Sequence, residues 1–175
     1  MQIKKVIHLS GPMGGGKGTV AQFLKDQYGF SVFNLSQIVK EETERNGLEL
    51  TRENMNAIYD EPKTTFGEDI VAKRIVEKAE GIEKIVFDGS RDIEEAKYMR
   101  KRFPNILSLY IDADEKIRKQ RIITRQRDID SGDLEKLFEK DNDYVVPSKS
   151  VPGVIVMENN GNIEQLFSKI QTLIS

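Results

Sequence analysis

One short segment, SGPMGGGKGTVAQFL at Ser10–Leu24, restricts the fold of this 175-residue chain more than any other. Gly11 is separated by four residues from Gly16 and Lys17, and the segment lies between an apolar run and a helical pattern. Glycines allow a turn whose backbone N–H groups point inward and bind anions. The helix that follows adds its unsatisfied N-terminal donors, and the lysine adds a positive charge for the β- and γ-phosphates. A merely flexible glycine turn would need neither the lysine nor these flanking elements, so the segment predicts a triphosphate-binding loop.

The residues predicted to bind the nucleotide phosphates are Gly11, Gly14, Gly15, Gly16, Lys17, Gly18 and Thr19. In the commonest form of such loops a hydroxyl follows the lysine and binds magnesium directly. Gly18 stands there in this chain, and the hydroxyl of Thr19 comes one residue later. We therefore expect Mg²⁺ to be held mainly by phosphate oxygens and water, with Thr19 as an additional candidate ligand.

Short apolar runs alternate with helical patterns along the rest of the chain. The runs are apolar on both faces, as strands of a covered parallel sheet require, and they predict strands at Lys5–Ser10, Ser31–Leu35, Lys84–Asp88, Ile106–Ile111 and Gly153–Met157. Helical spacing falls at residues 17–27, 37–46, 52–59, 67–80, 92–102, 114–124, 134–142 and 163–174. Asp92 and Glu95 have the spacing of a capping box. The alternation predicts an α/β fold with a five-stranded parallel sheet and helices on both faces.

The chain shows no boundary between domains. No linker rich in proline, glycine or serine divides it, and no internal repeat is visible. Residues 1–175 are therefore predicted to form one domain with two helical excursions, one at about residues 36–80 and one in the charged stretch at about residues 125–133.

Composition narrows the class of protein. The hydrophobic share of 38% and the charged share of 32% are typical of a soluble globular domain. The absence of cysteine excludes disulfides and thiolate metal sites, and the net charge of −2 argues against a main role in binding nucleic acid. No apolar run is long enough to span a bilayer, and no signal peptide is recognisable. We expect a cytoplasmic protein, monomeric or homodimeric, that contacts neither membrane nor nucleic acid.

Three motifs resemble those of the adenylate-kinase-like nucleoside monophosphate (NMP) kinases. GPMGGGKGT shares their Lys-Gly-Thr ending, VFDGSRDIEEA is similar to their Asp-Gly-…-Arg segment, and IRKQRIITRQRD is similar to the arginine-rich helix that enters their lid. The motifs occur in the family's order along nearly the whole chain, and the likeness is weak between residues 36 and 80. The resemblance implies a P-loop NTPase fold with an NMP-binding insertion at about 36–80, a lid at about 125–133, and the use of ATP and Mg²⁺.

The resemblance also implies roles for residues beyond the loop. Asp88 would hold magnesium through water, Arg91 would bind the acceptor, Arg121 would stack on adenine, and Arg125 would reach the transferring phosphoryl group. The catalytic set would thus be Lys17, Asp88 and Arg125. Arg118 and Arg127 are further lid candidates. Four arginines within ten residues favour phosphate binding over a solvated helix face, because planar guanidinium groups suit phosphate forks and base stacking.

The predicted acceptor side departs from that family. The run LSQIVKEE places Ser36, Gln37 and Lys40 where the family has a small residue, an acid and an arginine. Ser36 and Lys40 are predicted acceptor contacts, although a lysine cannot bind a phosphate in a bidentate manner. Four further residues are candidate contacts of the acceptor but could equally be surface residues: Arg52, Tyr59, Lys63 and Arg74. His8 is expected to be a core histidine with its hydrogen bonds satisfied.

Three functions remain open at this point. The first is ATP-dependent transfer of the γ-phosphate to a small nucleotide acceptor, an NMP. The second is transfer to a sugar hydroxyl, since the chain also resembles dephospho-coenzyme A kinases in size and loop, although Asn34 and Ser36 stand where the bacterial enzyme has an aspartate pair. The third is an ATP-binding switch or assembly module with slow ATPase activity. The acceptor base is not identified, and a purine donor rests only on Arg121 and the resemblance.

Overall fold

The structure of the protein is a computed structural model that describes residues 5–66, 70–90, 93–125, 134–145 and 149–175. The strands are β1 (Lys5–Ser10), β2 (Ser31–Asn34), β3 (Lys84–Ser90), β4 (Leu107–Asp112) and β5 (Val154–Glu158). The helices in the described ranges are α1 (Lys17–Tyr28), α2 (Leu35–Arg45), α3 (Arg52–Phe66), α4 (Ile70–Lys78), α5 (Ile93–Arg102), α6 (Glu115–Arg125), α7 (Leu134–Val145) and α8 (Ile163–Ile174).

The five strands form one parallel sheet in the order β2-β3-β1-β4-β5. From β1 the chain crosses the sheet toward the edge formed by β2. From β3 it crosses in the opposite direction to reach β4. Connections that leave neighbouring strands in opposite directions open a crevice at the carboxyl ends of those strands, where α/β proteins bind ligands. The register pairs Leu9 of β1 with Asp88 of β3, so the loop after β1 begins beside that carboxylate.

Apolar side chains bury both faces of the sheet, because successive strand residues point to opposite sides. On one face Val6, Ile85 and Phe87 pack in a cluster with residues of α2–α5. On the other face Leu9 and Val86 pack in a cluster with residues of α1 and α8. The predicted three-layer α/β fold is confirmed.

The boundaries of several elements differ from the sequence-based expectations. β2 ends at Asn34, one residue early, because the Asn34 side chain caps α2 by accepting from the N–H of Gln37. α3 was expected to end near Tyr59 but continues through Pro62, although a proline removes one helical hydrogen bond. β5 is an edge strand, and Val156 is 45% exposed rather than covered on both faces.

Two polar residues of the core were assigned wrongly. His8 is fully buried, and burial together with nearby Arg100 lowers the pKa of its imidazole to about 4. Neither ring nitrogen has a hydrogen-bond partner in the part of the chain that the structure describes, so the expectation of a satisfied histidine is wrong. Tyr59 is not a surface or acceptor contact, because it is buried and its hydroxyl donates to Oε1 of Glu95 over 2.7 Å.

Other expectations fall on residues outside the described ranges. These are the capping role of Asp92, the acceptor role of Arg91, the first residues of the predicted helix at 67–80, and most of the predicted lid, which includes Arg127. Of the helices that are described, none combines the length and the apolar character needed to cross a bilayer.

Candidate active site

The glycine loop joins β1 to α1 and needs glycine for steric as well as conformational reasons. Gly14 and Gly16 have φ of 80° and 110°, a region that side chains with a Cβ rarely adopt. A Cβ on Gly14 would lie 2.7 Å from the carbonyl oxygen of Arg118, and one on Gly16 would collide with the amide of Asn159. The loop is therefore folded tightly against α6 and the residue that follows β5.

Three side chains bind the outward-facing carbonyl groups of this loop. Nη1 of Arg118 donates to the Met13 carbonyl over 3.4 Å, and Nη1 of Arg121 donates to the Gly14 carbonyl over 3.2 Å. Nδ2 of Asn159 donates to the Gly15 carbonyl over 2.7 Å. In a trans peptide the N–H points away from the C=O. The N–H groups that follow Met13 and Gly15 in the chain are thereby aimed away from these supports, as an anion-binding loop requires.

Arg118 supports the loop and does not belong to the lid. It is only 5% exposed, and its Nε donates to the Ala113 carbonyl over 3.0 Å. Its Nη2 donates to Oδ1 of Asn142 over 3.3 Å, and its guanidinium lies 5.1 Å from the ring centre of Phe138. The prediction of a lid role is wrong because α7 packs over this part of α6 and encloses the guanidinium.

Lys17 reaches back over the start of the loop. Its Nζ donates to the carbonyl oxygens of Gly11 over 2.6 Å and Pro12 over 3.0 Å. The ammonium group is thus held at the end of the loop that is remote from α1, in a position to contact the outer phosphates of a nucleotide.

Asp88 lies at the carboxyl end of β3 and is 3% exposed. Its Oδ2 accepts from Nδ2 of Asn34 over 2.6 Å. Burial raises the pKa of the carboxyl group, while the charge of Lys17 and the hydrogen bond from Asn34 act in the opposite direction. Its Oδ1 has no hydrogen-bond partner among the described residues. A buried carboxylate oxygen of this kind fits an outer contact to hydrated Mg²⁺.

No protein cage for a metal is formed elsewhere in the described ranges, where no three His, Asp or Glu side chains lie together.

One cavity of about 720 Å³ joins these groups, which is within the usual size range of small-molecule sites. Lys17, Asp88 and Arg125 lie on its wall together with Arg121. Its described lining is completed by Gly11, Met13, Gly14, Gly16, Gly18, Thr19, Asn34, Ser36, Arg52, Gly89, Ser90 and Asp141. Most of the residues predicted to contact the donor nucleotide thus lie around a single opening.

Three predicted residues have other positions. Gly15 is buried behind the lining, and its N–H donates to the Pro12 carbonyl over 3.0 Å. Lys40 is half-buried on α2 and is not among the described residues that line the cavity. Arg74 is exposed on α4 and faces a separate small groove. Of the weaker candidates whose side chains the structure describes, Arg52 lies at the cavity, with Nη2 3.7 Å from Sδ of Met13; the side chain of Lys63 is outside that description.

Sequence reasoning missed two residues at the site. Oδ2 of Asp141 on α7 accepts from the N–H of Met13 over 2.5 Å, and nothing distinguishes this aspartate within its charged helical pattern. Asn159 follows the last strand and is 4% exposed. The rule that ligands bind at the carboxyl ends of parallel strands would have pointed to it.

Comparison with known proteins agrees with this geometry. A family model described as an AAA domain matches residues 10–137. The chain is 30% identical to a UPF0200 protein of Thermococcus kodakarensis, over 97% of this chain and 96% of that protein. It is 29% identical to a UPF0200/UPF0201 protein of Archaeoglobus fulgidus over 97% of its own length, but it spans only 55% of that relative.

A solved structure extends the likeness to the fold. The structure of shikimate kinase from Acinetobacter baumannii in complex with shikimate matches with a TM-score of 0.64 and 19% identity, covering 98% of this chain and 93% of that one.

Proposed function

The chain belongs to the AAA-domain family that the model over residues 10–137 describes and is related to the UPF0200 proteins, and it shares its fold with a solved shikimate kinase. We propose that it transfers the γ-phosphate of Mg·ATP to an NMP. One observation carries the proposal. Lys17, Asp88 and Arg125, which would act on the donor phosphates, share one cavity with Ser36 and Arg52 on the acceptor side. Phosphoryl transfer needs mainly this juxtaposition and positive charge, with little covalent chemistry from the protein.

On the donor side, the backbone N–H groups of the loop and the ammonium of Lys17 bind the ATP phosphates. Asp88 would hold hydrated Mg²⁺, and the cation would supply positive charge that neutralises the phosphate oxygens. Arg121 stacks on the base through the face of its guanidinium, because its edge already donates to the carbonyls of Gly14 and Asn159. Thr19 lies on the same wall as a candidate contact for the metal.

On the acceptor side, Ser36 and Arg52 bind the phosphate of the NMP, with Arg91 as a further contact, whereas Lys40 does not line the described cavity and is not assigned to the acceptor. A phosphate monoester oxygen is already a nucleophile and needs no general base. The residue that ends β2 at the cavity is the neutral Asn34, whose amide nitrogen donates to Asp88. This position therefore lacks the aspartate that the bacterial dephospho-coenzyme A kinases have there.

In the reaction, an oxygen of the acceptor phosphate attacks the γ-phosphorus while the bond to the β–γ bridging oxygen breaks. The products are ADP and a nucleoside diphosphate. Arg125, at the end of α6, compensates negative charge on the transferring group. Closure of the lid proposed at about 125–133 would exclude water, whose attack would hydrolyse ATP instead.

An acceptor panel tests the proposal. Purified protein with Mg·ATP is given each ribo- and deoxyribonucleoside monophosphate, dephospho-coenzyme A, or buffer alone, and ADP release is recorded. We expect release that depends on one or a few monophosphates and is absent in Lys17→Ala. If ADP is released only with dephospho-coenzyme A, the acceptor is a hydroxyl group and the NMP proposal is wrong. Equal release in buffer alone would favour an ATP-binding switch or assembly module.

A further inference from the structure

A carboxylate occupies one of the anion-binding positions of the loop. Oδ2 of Asp141 accepts a hydrogen bond of 2.5 Å from the backbone N–H of Met13, and both residues line the site cavity. Backbone N–H groups of a glycine loop are the groups that phosphate oxygens bind. An acidic side chain on such a donor takes the place of a phosphate oxygen.

The position of this contact corresponds to the outer end of a bound triphosphate. α1 begins at Lys17, so its N-terminal donors lie at the far end of the loop from Met13. The ammonium of Lys17 lies at the near end, bound to the carbonyls of Gly11 and Pro12. The proposed function assigns this ammonium to the outer phosphates of ATP, and on that assignment Asp141 would lie beside the terminal phosphate and not beside the inner ones.

α7 is packed firmly enough to hold Asp141 at this position. Phe138 is 1% exposed, three residues before Asp141, and its ring lies 5.1 Å from the guanidinium of Arg118. Asn142, the next residue after Asp141, accepts from the same guanidinium over 3.3 Å. Arg118 in turn donates to the Met13 carbonyl. The Met13 residue is thus bound at its N–H by α7 and at its C=O by the arginine beneath it.

We propose that Asp141 is a specificity-determining residue of the donor site, which lowers the affinity for a nucleoside triphosphate relative to a diphosphate. This inference rests on the proposed function, because it concerns the same phosphate loop. When a diphosphate is bound, the N–H of Met13 still donates to Asp141. A triphosphate brings its terminal phosphate against the carboxylate, and the repulsion is strong because the site is partly buried. ATP therefore binds only after the carboxylate has left Met13.

The test compares two nucleotides on matched variants. Binding of ADP and of the non-hydrolysable imido analogue of ATP, both with Mg²⁺, is measured by isothermal titration calorimetry on wild type, Asp141→Asn and Glu139→Gln. Glu139 is exposed on the same helix, so its variant removes one negative charge away from the loop. We expect Asp141→Asn to bind the analogue about fivefold or more tighter while ADP changes less than about twofold. Glu139→Gln should leave the ratio of the two affinities unchanged.

Two results would overturn the inference. The first is a ratio of the two affinities that is the same in Asp141→Asn as in wild type. The second is weaker binding of the ATP analogue by Asp141→Asn, which would show that Asp141 supports bound Mg·ATP. Asp141→Ala, checked for folding by thermal melting, provides a second variant that also removes the hydrogen bond to Met13. If wild type binds neither nucleotide, the donor site itself is wrong and the proposed function fails with it.

Discussion

Asn34 donates from Nδ2 to Oδ2 of Asp88 over 2.6 Å, while its own Oδ1 accepts from the N–H of Gln37 over 3.0 Å. The hydroxyl of Ser36 donates to the same Oδ1 over 2.5 Å. Both ends of the amide are engaged, so its orientation is fixed by the start of α2. The beginning of that helix thereby positions the carboxylate that we assign to the metal.

Asn34→Asp separates the two roles of this residue. An aspartate still caps α2 through its oxygen but cannot donate to Asp88, and it brings a second negative charge to the site. We expect a melting temperature below that of wild type at neutral pH, because the two carboxylates repel each other although the cap is kept, and a kcat that is lower by about tenfold or more.

Asn34→Ala is the matched comparison, because it removes the cap as well and should destabilise the protein by about 1 kcal/mol. A wild-type kcat in Asn34→Asp would show that Asp88 does not need the amide.

Asp88→Asn should separate nucleotide binding from turnover. The substitution keeps the volume of the side chain and removes the charge, so the loop and Lys17 still bind ADP with an affinity within a few-fold of wild type. The kcat should fall by about a hundredfold or more, because charge at the transferring group is no longer balanced. Calorimetry with ADP and steady-state rates measure the two effects. An unchanged rate would remove Asp88 from the mechanism.

Arg118→Met should destabilise the fold and weaken nucleotide binding together. The substitution removes hydrogen bonds to the carbonyls of Ala113 and Met13 and to Asn142, at a position that is 5% exposed. We expect a loss of about 2–4 kcal/mol in the free energy of unfolding, measured by urea denaturation.

Lys116→Met, an exposed position on the same helix, is the control and should change neither quantity. Full ADP affinity in a folded Arg118→Met protein would contradict the assignment of Arg118 as a support of the loop.

His8 should make the protein sensitive to acid. Its pKa in the folded state is about 4, below the ordinary value of 6.5, so the unfolded chain binds the proton more readily between these values. The folded state consequently loses stability as pH falls below 6.5, by about 2 kcal/mol from pH 7 to pH 5 through this group alone.

His8→Leu replaces the imidazole by a side chain of similar volume that does not titrate. Between pH 7 and pH 5 this variant should lose about 2 kcal/mol less free energy of unfolding than wild type, as measured by chemical denaturation. Parallel pH profiles for the two proteins would show that the imidazole does not carry the effect.

The sequence predicted the parts of the site that are encoded locally. The glycine and lysine spacing after β1 specifies the loop, and the resemblance of VFDGSRDIEEA to the Asp-Gly-…-Arg segment of the NMP kinases pointed to Asp88. The partners of these residues come from distant segments. Asp141 reaches Met13 across 128 positions of the chain, and no local pattern records that contact.

The arginines of α6 illustrate the same limit. Arg118 and Arg125 are seven residues apart and lie on nearly the same helical face, so periodicity does not separate them. Packing decides their roles, because Phe138 and Asn142 of α7 enclose Arg118 while Arg125 lies at the cavity.

The central claim is that the phosphate loop and the acceptor side of one cavity cooperate in phosphoryl transfer, and phosphorus NMR tests it most directly. Mg·ATP is incubated with the protein and one monophosphate other than AMP at a time, and all phosphorus species are followed. We predict that ADP and the corresponding nucleoside diphosphate form in equal amounts for at least one monophosphate, and that Lys17→Ala forms neither. Formation of ADP with an equal amount of inorganic phosphate, while every monophosphate stays unchanged, would contradict the account.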